Sequence, residues 1–148
     1  MSGIFIPSEF ALALAGVSLT GVTLVALNGF VGKARKEAGV PYPALYADNA
    51  EASKDKKKHR FNCAQRGVQN LLETYTTVTV ATLITGLWNP RVALGISIAY
   101  SIGAYGFAKG YATGNPDARY GGVGVLIRPA QLAALFCSFY SIYNLYTQ

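Results

Sequence analysis

The chain has 148 residues; 51% are hydrophobic and only 14% are charged, against roughly 25% charged in typical soluble domains. Its mean hydropathy is positive, at +0.27. These values exclude a disordered chain, and two cysteines are too few to staple a small secreted fold. The composition therefore predicts an integral membrane protein.

The net charge of +6 is concentrated in one short segment. Residues 54–60 hold five basic residues and one acidic residue. A nucleic-acid interface would spread such charge over a folded face with interleaved aromatic residues, so no nucleic-acid partner is expected. We interpret the segment as a solvated loop that sets topology, with contact to anionic membrane lipid as a further role.

Four apolar stretches predict four transmembrane helices, at about residues 10–31, 61–88, 92–109 and 123–146. The first is uncharged over 22 residues, or about 33 Å of helix, which exceeds a hydrocarbon core of about 30 Å. The second contains six threonines in its later half, which favour a strand, but in lipid only a helix satisfies its own backbone groups. The predicted fold is a single all-α transmembrane domain over residues 1–148.

Loop charge predicts the orientation of these helices. The loops expected at 32–60 and 109–122 contain all but three of the basic residues. Under the positive-inside rule both of these long loops face the cytosol.

One face of the second predicted helix carries polar residues at helical spacing. Arg66, Asn70 and Glu73 follow an i, i+4, i+7 pattern, with Asn62 and Gln69 close to the same face. Each charge costs at least about 2.5 kcal/mol at membrane depth. Two interpretations remain open, namely an internal ion pair that locks the bundle, or a site for a small polar ligand that carries both charge signs.

Three segments in order along the chain resemble one family. They are FNCAQRGVQNLLE at 61–73, KARK at 33–36 with VPYP at 40–43, and GYATGNP at 110–116 followed by Arg119. Together they resemble the MAPEG family, the membrane-associated proteins in eicosanoid and glutathione metabolism.

The resemblance implies a homotrimer with glutathione sites between protomers, open to the cytosol. It assigns glutathione binding to Arg66, Asn70, Glu73 and Tyr111, with Arg35 reaching in from the adjoining protomer. It assigns thiolate stabilisation, the catalytic role, to Arg119. From the residues alone, the favoured interpretation of Arg119 is a solvent-facing arginine that sets topology.

The implied function is a membrane glutathione S-transferase that conjugates glutathione to a lipophilic electrophile from the bilayer. Glutathione-dependent peroxidase activity toward lipid hydroperoxides is an expected second activity. Glutathione is the expected co-substrate, and no metal is expected. The endoplasmic reticulum is the expected membrane, with the mitochondrial outer membrane as the alternative.

The ligand chemistry suits these side chains independently of the family. Glutathione has two carboxylates and one ammonium group, so its site needs cations and an acid. Its thiol has to ionise, and lowering a thiol pKa from about 8.5 to about 6.5 takes roughly 2.7 kcal/mol. One guanidinium about 4 Å away supplies about 4 kcal/mol at an effective dielectric of 20.

Three positions depart from the family pattern. Phe107 stands where a tyrosine is common, Ala104 where an arginine is frequent, and Thr74 where leukotriene-C synthase has a tyrosine. These differences argue against leukotriene synthesis more than against glutathione binding. The rival functions are a non-catalytic lipid-binding or activating scaffold of the same fold, and a small channel or transporter.

Overall fold

The computed structural model describes residues 7–147, which are helical or irregular with no β-strand among them. Residues 1–6 and 148 of the predicted 1–148 domain lie outside the described residues. The helices are α1 (Ala11–Ala38), α2 (Asn49–Ala52), α3 (Lys56–Trp88), α4 (Pro90–Tyr111) and α5 (Ile127–Tyr146). Short 3₁₀ helices cover Ser8–Phe10, Pro116–Tyr120 and Gly122–Leu126.

The four long helices form one bundle. α3 and α4 pack together, and α1 and α5 each pack against both of them. Small residues allow the helices to approach closely: a Cβ on Gly103 would lie 2.8 Å from the Cα of Ile127. The backbone of α4 therefore contacts the start of α5 directly, which no larger side chain would permit.

α1 ends seven residues later than predicted. It continues to Ala38 and ends where Gly39 adopts a left-handed conformation with φ of +64°. Lysine, arginine and glutamate are good helix formers, so the helix runs on past its apolar part until a glycine caps it. Arg35 therefore lies on the last turn of α1, and the prediction of a loop from residue 32 is wrong.

The lysine-rich segment is also helical where a loop was predicted. α3 begins at Lys56 because the Asp55 carboxylate accepts hydrogen bonds from the backbone of Lys57 and Lys58, at 2.8 and 3.4 Å. At its other end, Asn89 alone separates α3 from α4 and caps α4 with its side chain. The chain therefore passes from α3 to α4 through a tight turn.

Three segments are long and apolar enough to cross a membrane, namely Ser8–Ala38, Pro90–Tyr111 and Gly122–Tyr146. α3 has 33 residues, or about 50 Å of helix, but its first half is polar. The protein is thus an all-helical integral membrane protein with three such segments among its described residues.

Candidate functional site

Arg66 and Glu73 form an ion pair on the outward face of α3. Nη1 of Arg66 lies 2.6 Å from Oε1 of Glu73, and the two side chains remain 43% and 50% exposed. Asn70 lies one turn from Arg66 on the same helix and donates its side-chain amide to the Arg66 carbonyl at 3.1 Å. The other helices of the chain leave this charged surface half open.

Tyr111, the last residue of α4, lies against α3 close to Arg66. The contact depends on Gly67, because a Cβ there would lie only 3.0 Å from the Cβ of Tyr111. Arg66 and Tyr111 line the same cleft. The bundle thus brings together two predicted glutathione-binding residues from different helices.

The 3₁₀ helix after α4 holds Arg119 beside Tyr111. Nη1 of Arg119 donates to the carbonyl of Pro116 at 2.6 Å. The guanidinium carbon lies 5.7 Å from the ring centre of Tyr111 and 4.8 Å from that of Tyr120. The arginine predicted to be catalytic and the tyrosine predicted to line the site are therefore neighbours.

A glycine in α4 permits this position of the Arg119 segment. A Cβ on Gly110 would lie 2.9 Å from the Cα of Arg119 and would also meet the carbonyl of Ala118. The 3₁₀ segment therefore rests directly on the α4 backbone, which keeps Arg119 close to the end of that helix.

A chain of polar side chains links the Arg119 segment to α3. Nε of Arg128 donates to the Tyr120 hydroxyl at 3.4 Å, and its Nη1 donates to Oε1 of Gln131 at 2.9 Å. Nε2 of Gln131 donates to Thr74 at 2.9 Å. The hydrogen bond from Arg128, reinforced by the nearby Arg119 guanidinium, holds the pKa of the Tyr120 phenol below its usual value.

Tyr120 and Arg128 were not among the predicted site residues. Arg128 gave a signal, as the one charge in an otherwise apolar segment, but snorkelling to the membrane interface explains such a residue equally well. Tyr120 gave no signal in the sequence.

Phe107 packs between the two tyrosines of this region. It is 2% exposed, and its ring centre lies 5.7 Å from that of Tyr111 and 5.5 Å from that of Tyr120.

Arg35 is bound within its own chain. It is 8% exposed, its guanidinium carbon lies 4.6 Å from the Tyr42 ring and 4.7 Å from the Phe61 ring, and it donates to the carbonyls of Ala44 and Leu45 at 2.6 and 3.4 Å. Arg35 therefore holds the segment after α1 against α3 and does not join Arg66 in the same chain. Its predicted reach into an adjoining protomer stays a prediction.

Two members of the polar stripe also hold that segment. Asn62 exchanges two hydrogen bonds with the backbone of Ala47, at 2.8 and 3.0 Å. Tyr46 donates its hydroxyl to the side-chain oxygen of Gln69. The stripe therefore divides by role, because Asn62 and Gln69 anchor the chain while Arg66 and Glu73 remain accessible.

The anchored segment forms one wall of a cleft of about 1050 Å³, at the upper end of the roughly 300–1,000 Å³ usual for ligand sites. Arg66, Tyr111, Lys54, Lys56 and His59 are among its lining residues. The lysines and His59 were expected to be solvated, and the cleft places them on a wall shared with Arg66. Asn70, Glu73 and Arg119 lie outside the lining.

The fold and this site define a class: an integral membrane helical bundle with a charged, ligand-sized site at one end of its helices. A family model described as "MAPEG family" matches residues 12–140, which is most of the chain and includes the greater part of each long helix. The chain belongs to the MAPEG family, which confirms the resemblance.

Proposed function

We propose that the protein is a membrane glutathione S-transferase, which activates glutathione as its thiolate and conjugates it to lipophilic electrophiles. The observation that supports this most directly is the half-exposed Arg66–Glu73 ion pair, 2.6 Å long. It combines both charge signs beside a cleft whose neighbouring segment presents Arg119. Membership of a family that includes glutathione transferases supports the same function.

The aromatic pair at the end of α3 supports a fourth membrane span. Trp88, at the end of α3, packs edge-on against Tyr140 with ring centres 4.7 Å apart, an aromatic pair typical of a membrane interface. Counting back about 30 Å at about 1.5 Å per residue reaches residue 68. Residues 68–88 would then span the membrane, with Glu73 about 8 Å inside the hydrocarbon and Arg66 just outside it.

This depth supports a homotrimer with shared sites. A carboxylate exposed to lipid at that depth is costly, and Glu73 is covered only partly by its own chain. A neighbouring copy packed over this face of α3 would shield the ion pair and complete the site. Arg35, at the end of α1, is the residue expected from the neighbouring copy.

Each charged part of glutathione has a partner at this site. Glu73 would bind the ammonium group, and Arg66 would bind a carboxylate with two hydrogen bonds. Asn70 and Tyr111 would bind the peptide portion. Lys54 and Lys56 add positive charge to the cleft, which attracts an anionic ligand.

Arg119 would stabilise the thiolate once the thiol proton has passed to water. The thiolate sulfur then attacks the electrophile, a C–S bond forms, and the leaving group departs with its electron pair. In the second proposed activity, a lipid hydroperoxide is reduced to an alcohol and water while two glutathione molecules are oxidised to their disulfide. A site near the interface suits both reactions, because glutathione comes from water and its partner from the bilayer.

The loop charges support cytosolic access for glutathione, with the endoplasmic reticulum as the proposed membrane and the mitochondrial outer membrane as the alternative. The second candidate function is a non-catalytic lipid-binding or activating scaffold of the same fold. One observation favours it: Phe107 is buried and has no hydroxyl to offer at a position where the family commonly has a tyrosine.

Calorimetry with glutathione, on protein purified in mild detergent, tests the proposal. We expect saturable binding, thiolate absorbance in the complex, and a trimer by native mass spectrometry. S-methylglutathione is the control, because it should bind but cannot ionise at sulfur. Absence of binding at millimolar glutathione would leave the scaffold, and a stable monomer that binds glutathione would refute the shared site.

A further inference from the structure

We propose that the groove between α1 and α4 binds one anionic phospholipid, with an acyl chain along the groove and the phosphate between Lys33 and Lys109. The groove has a volume of about 480 Å³. Its walls are almost entirely apolar and include Leu19, Val22, Ala26, Phe30, Ile102 and Tyr105.

The length of the groove matches one leaflet of a membrane. On α1 it runs from Leu19 to Phe30 and on α4 from Ile98 to Lys109, which is about 16 Å along each helix. Half of a hydrocarbon core of about 30 Å is about 15 Å. An acyl chain in the groove would therefore extend from the interface to the middle of the bilayer.

The mouth of the groove is cationic. Nζ of Lys109 lies 6.0 Å from the ring centre of Phe30 and 5.6 Å from that of Tyr105. Phe30 also lines an adjoining polar cavity of about 270 Å³. The charged residues that line this second cavity are Lys33, Lys57, Arg60 and Glu37.

This charge distribution selects the headgroup. Four cationic residues and one acid line the groove and the cavity that adjoins it at Phe30, so a headgroup with a net negative charge is favoured over a zwitterionic one. The lysines lie on the same side of the membrane as the other basic residues, where anionic lipids attract juxtamembrane cations.

The position of the groove on the bundle favours lipid over a second copy of the chain. Its lining comes from α1 and α4 only, whereas the Arg66–Glu73 surface lies on α3. Arg35, the α1 residue expected to reach the next copy, is also not among the groove residues. The shared site proposed above therefore uses no residue of this groove, which leaves the groove available to lipid.

Native mass spectrometry of the delipidated protein, titrated with palmitoyl-oleoyl phosphatidylglycerol or phosphatidylcholine, tests the proposal. We expect one tightly held phosphatidylglycerol per protomer and weaker phosphatidylcholine binding. The double variant K33Q/K109Q should lose about fivefold in phosphatidylglycerol affinity for each lysine, with phosphatidylcholine unchanged. The charge-matched control K36Q/R91Q should keep the preference, since neither residue lines the groove or the adjoining cavity.

A second pair of variants tests the acyl-chain groove itself. Ala26→Trp fills the groove and should weaken binding of both lipids. Val25→Trp is the control, because Val25 is 72% exposed and is not among the groove residues. Lipid binding needs no glutathione, so this experiment and the calorimetry with glutathione can fail independently.

Three results would overturn the proposal. One is equal affinity of the unaltered protein for the two lipids. Another is an equal loss of preference in K36Q/R91Q, which would mean that diffuse charge rather than this site selects the lipid. The third is efficient disulfide cross-linking between copies of either single variant, Val22→Cys or Ile102→Cys, which would mean that a second copy covers the groove.

Discussion

Replacement of Glu73 by glutamine removes the carboxylate of the ion pair and keeps the shape of the side chain. The glutamine can no longer form the ion pair that Glu73 makes with Arg66 at 2.6 Å, and it offers no negative charge to the glutathione ammonium. We expect the dissociation constant for glutathione to rise, while the conjugation rate at saturation changes less.

The size of this rise in the dissociation constant shows whether a neighbouring protomer covers the Arg66–Glu73 ion pair. In the single chain the two side chains are about half exposed, and such a pair is worth about 0–1 kcal/mol, or at most about fivefold in affinity. A desolvated charge pair that loses one partner costs about 2–5 kcal/mol. The shared site therefore predicts that affinity falls by at least about 30-fold.

Calorimetry on the detergent-purified protein measures this ratio directly. Glu51→Gln is the matched control, because Glu51 pairs with Lys58 at the same 2.6 Å distance and with similar exposure, but is not among the residues of the cleft. The affinity of this variant for glutathione should be unchanged. A loss below about fivefold in an intact trimer would refute a covered ion pair. An unchanged dissociation constant would refute the assignment of Glu73 to the glutathione ammonium.

Three further predictions concern the Arg119 segment. Arg119→Ala should reduce thiolate formation near neutral pH by up to about a hundredfold, measured as a higher pKa of the bound thiol, with a much smaller loss of glutathione affinity. Arg91→Ala is the control, and an unchanged thiol pKa in Arg119→Ala would exclude Arg119 as the activating residue. Gly110→Ala should displace the Arg119 segment and lower turnover more than glutathione binding. Gly95→Ala is the control and should have no effect, because its added Cβ would meet nothing within 4 Å. Equal turnover in the two variants would contradict the packing argument. Arg128→Gln should raise the pKa of Tyr120, because the hydrogen bond from the Arg128 guanidinium lowers that pKa. Spectrophotometric titration, with Tyr120→Phe to identify the signal, should show the phenol ionising at higher pH in the variant. An unchanged pKa would contradict the hydrogen bond.

Local sequence pattern was enough to predict most of the bundle. Apolar length located the four long helices, because a membrane helix satisfies its own backbone and depends on composition more than on neighbours. Their ends were less predictable. α1 runs to Gly39 and α3 begins after Asp55, since helix ends depend on capping groups in addition to hydropathy.

The sequence by itself determined the shared face of the two charges and the family. Arg66 and Glu73 are two turns apart on one helix, so helical periodicity alone places them on one face. The motifs that carry the family resemblance are likewise read directly from consecutive residues.

Only the tertiary structure decided which other side chains join that pair and which anchor the chain. Tyr111 packs on α3 at Gly67, and the Arg119 segment packs on α4 at Gly110. The hydrogen bonds from Arg128 to Tyr120 and from Arg35 to Ala44 depend on the route of the connecting segments. Local periodicity contains no information about such routes, because contacts between elements are set by packing of residues far apart in the chain.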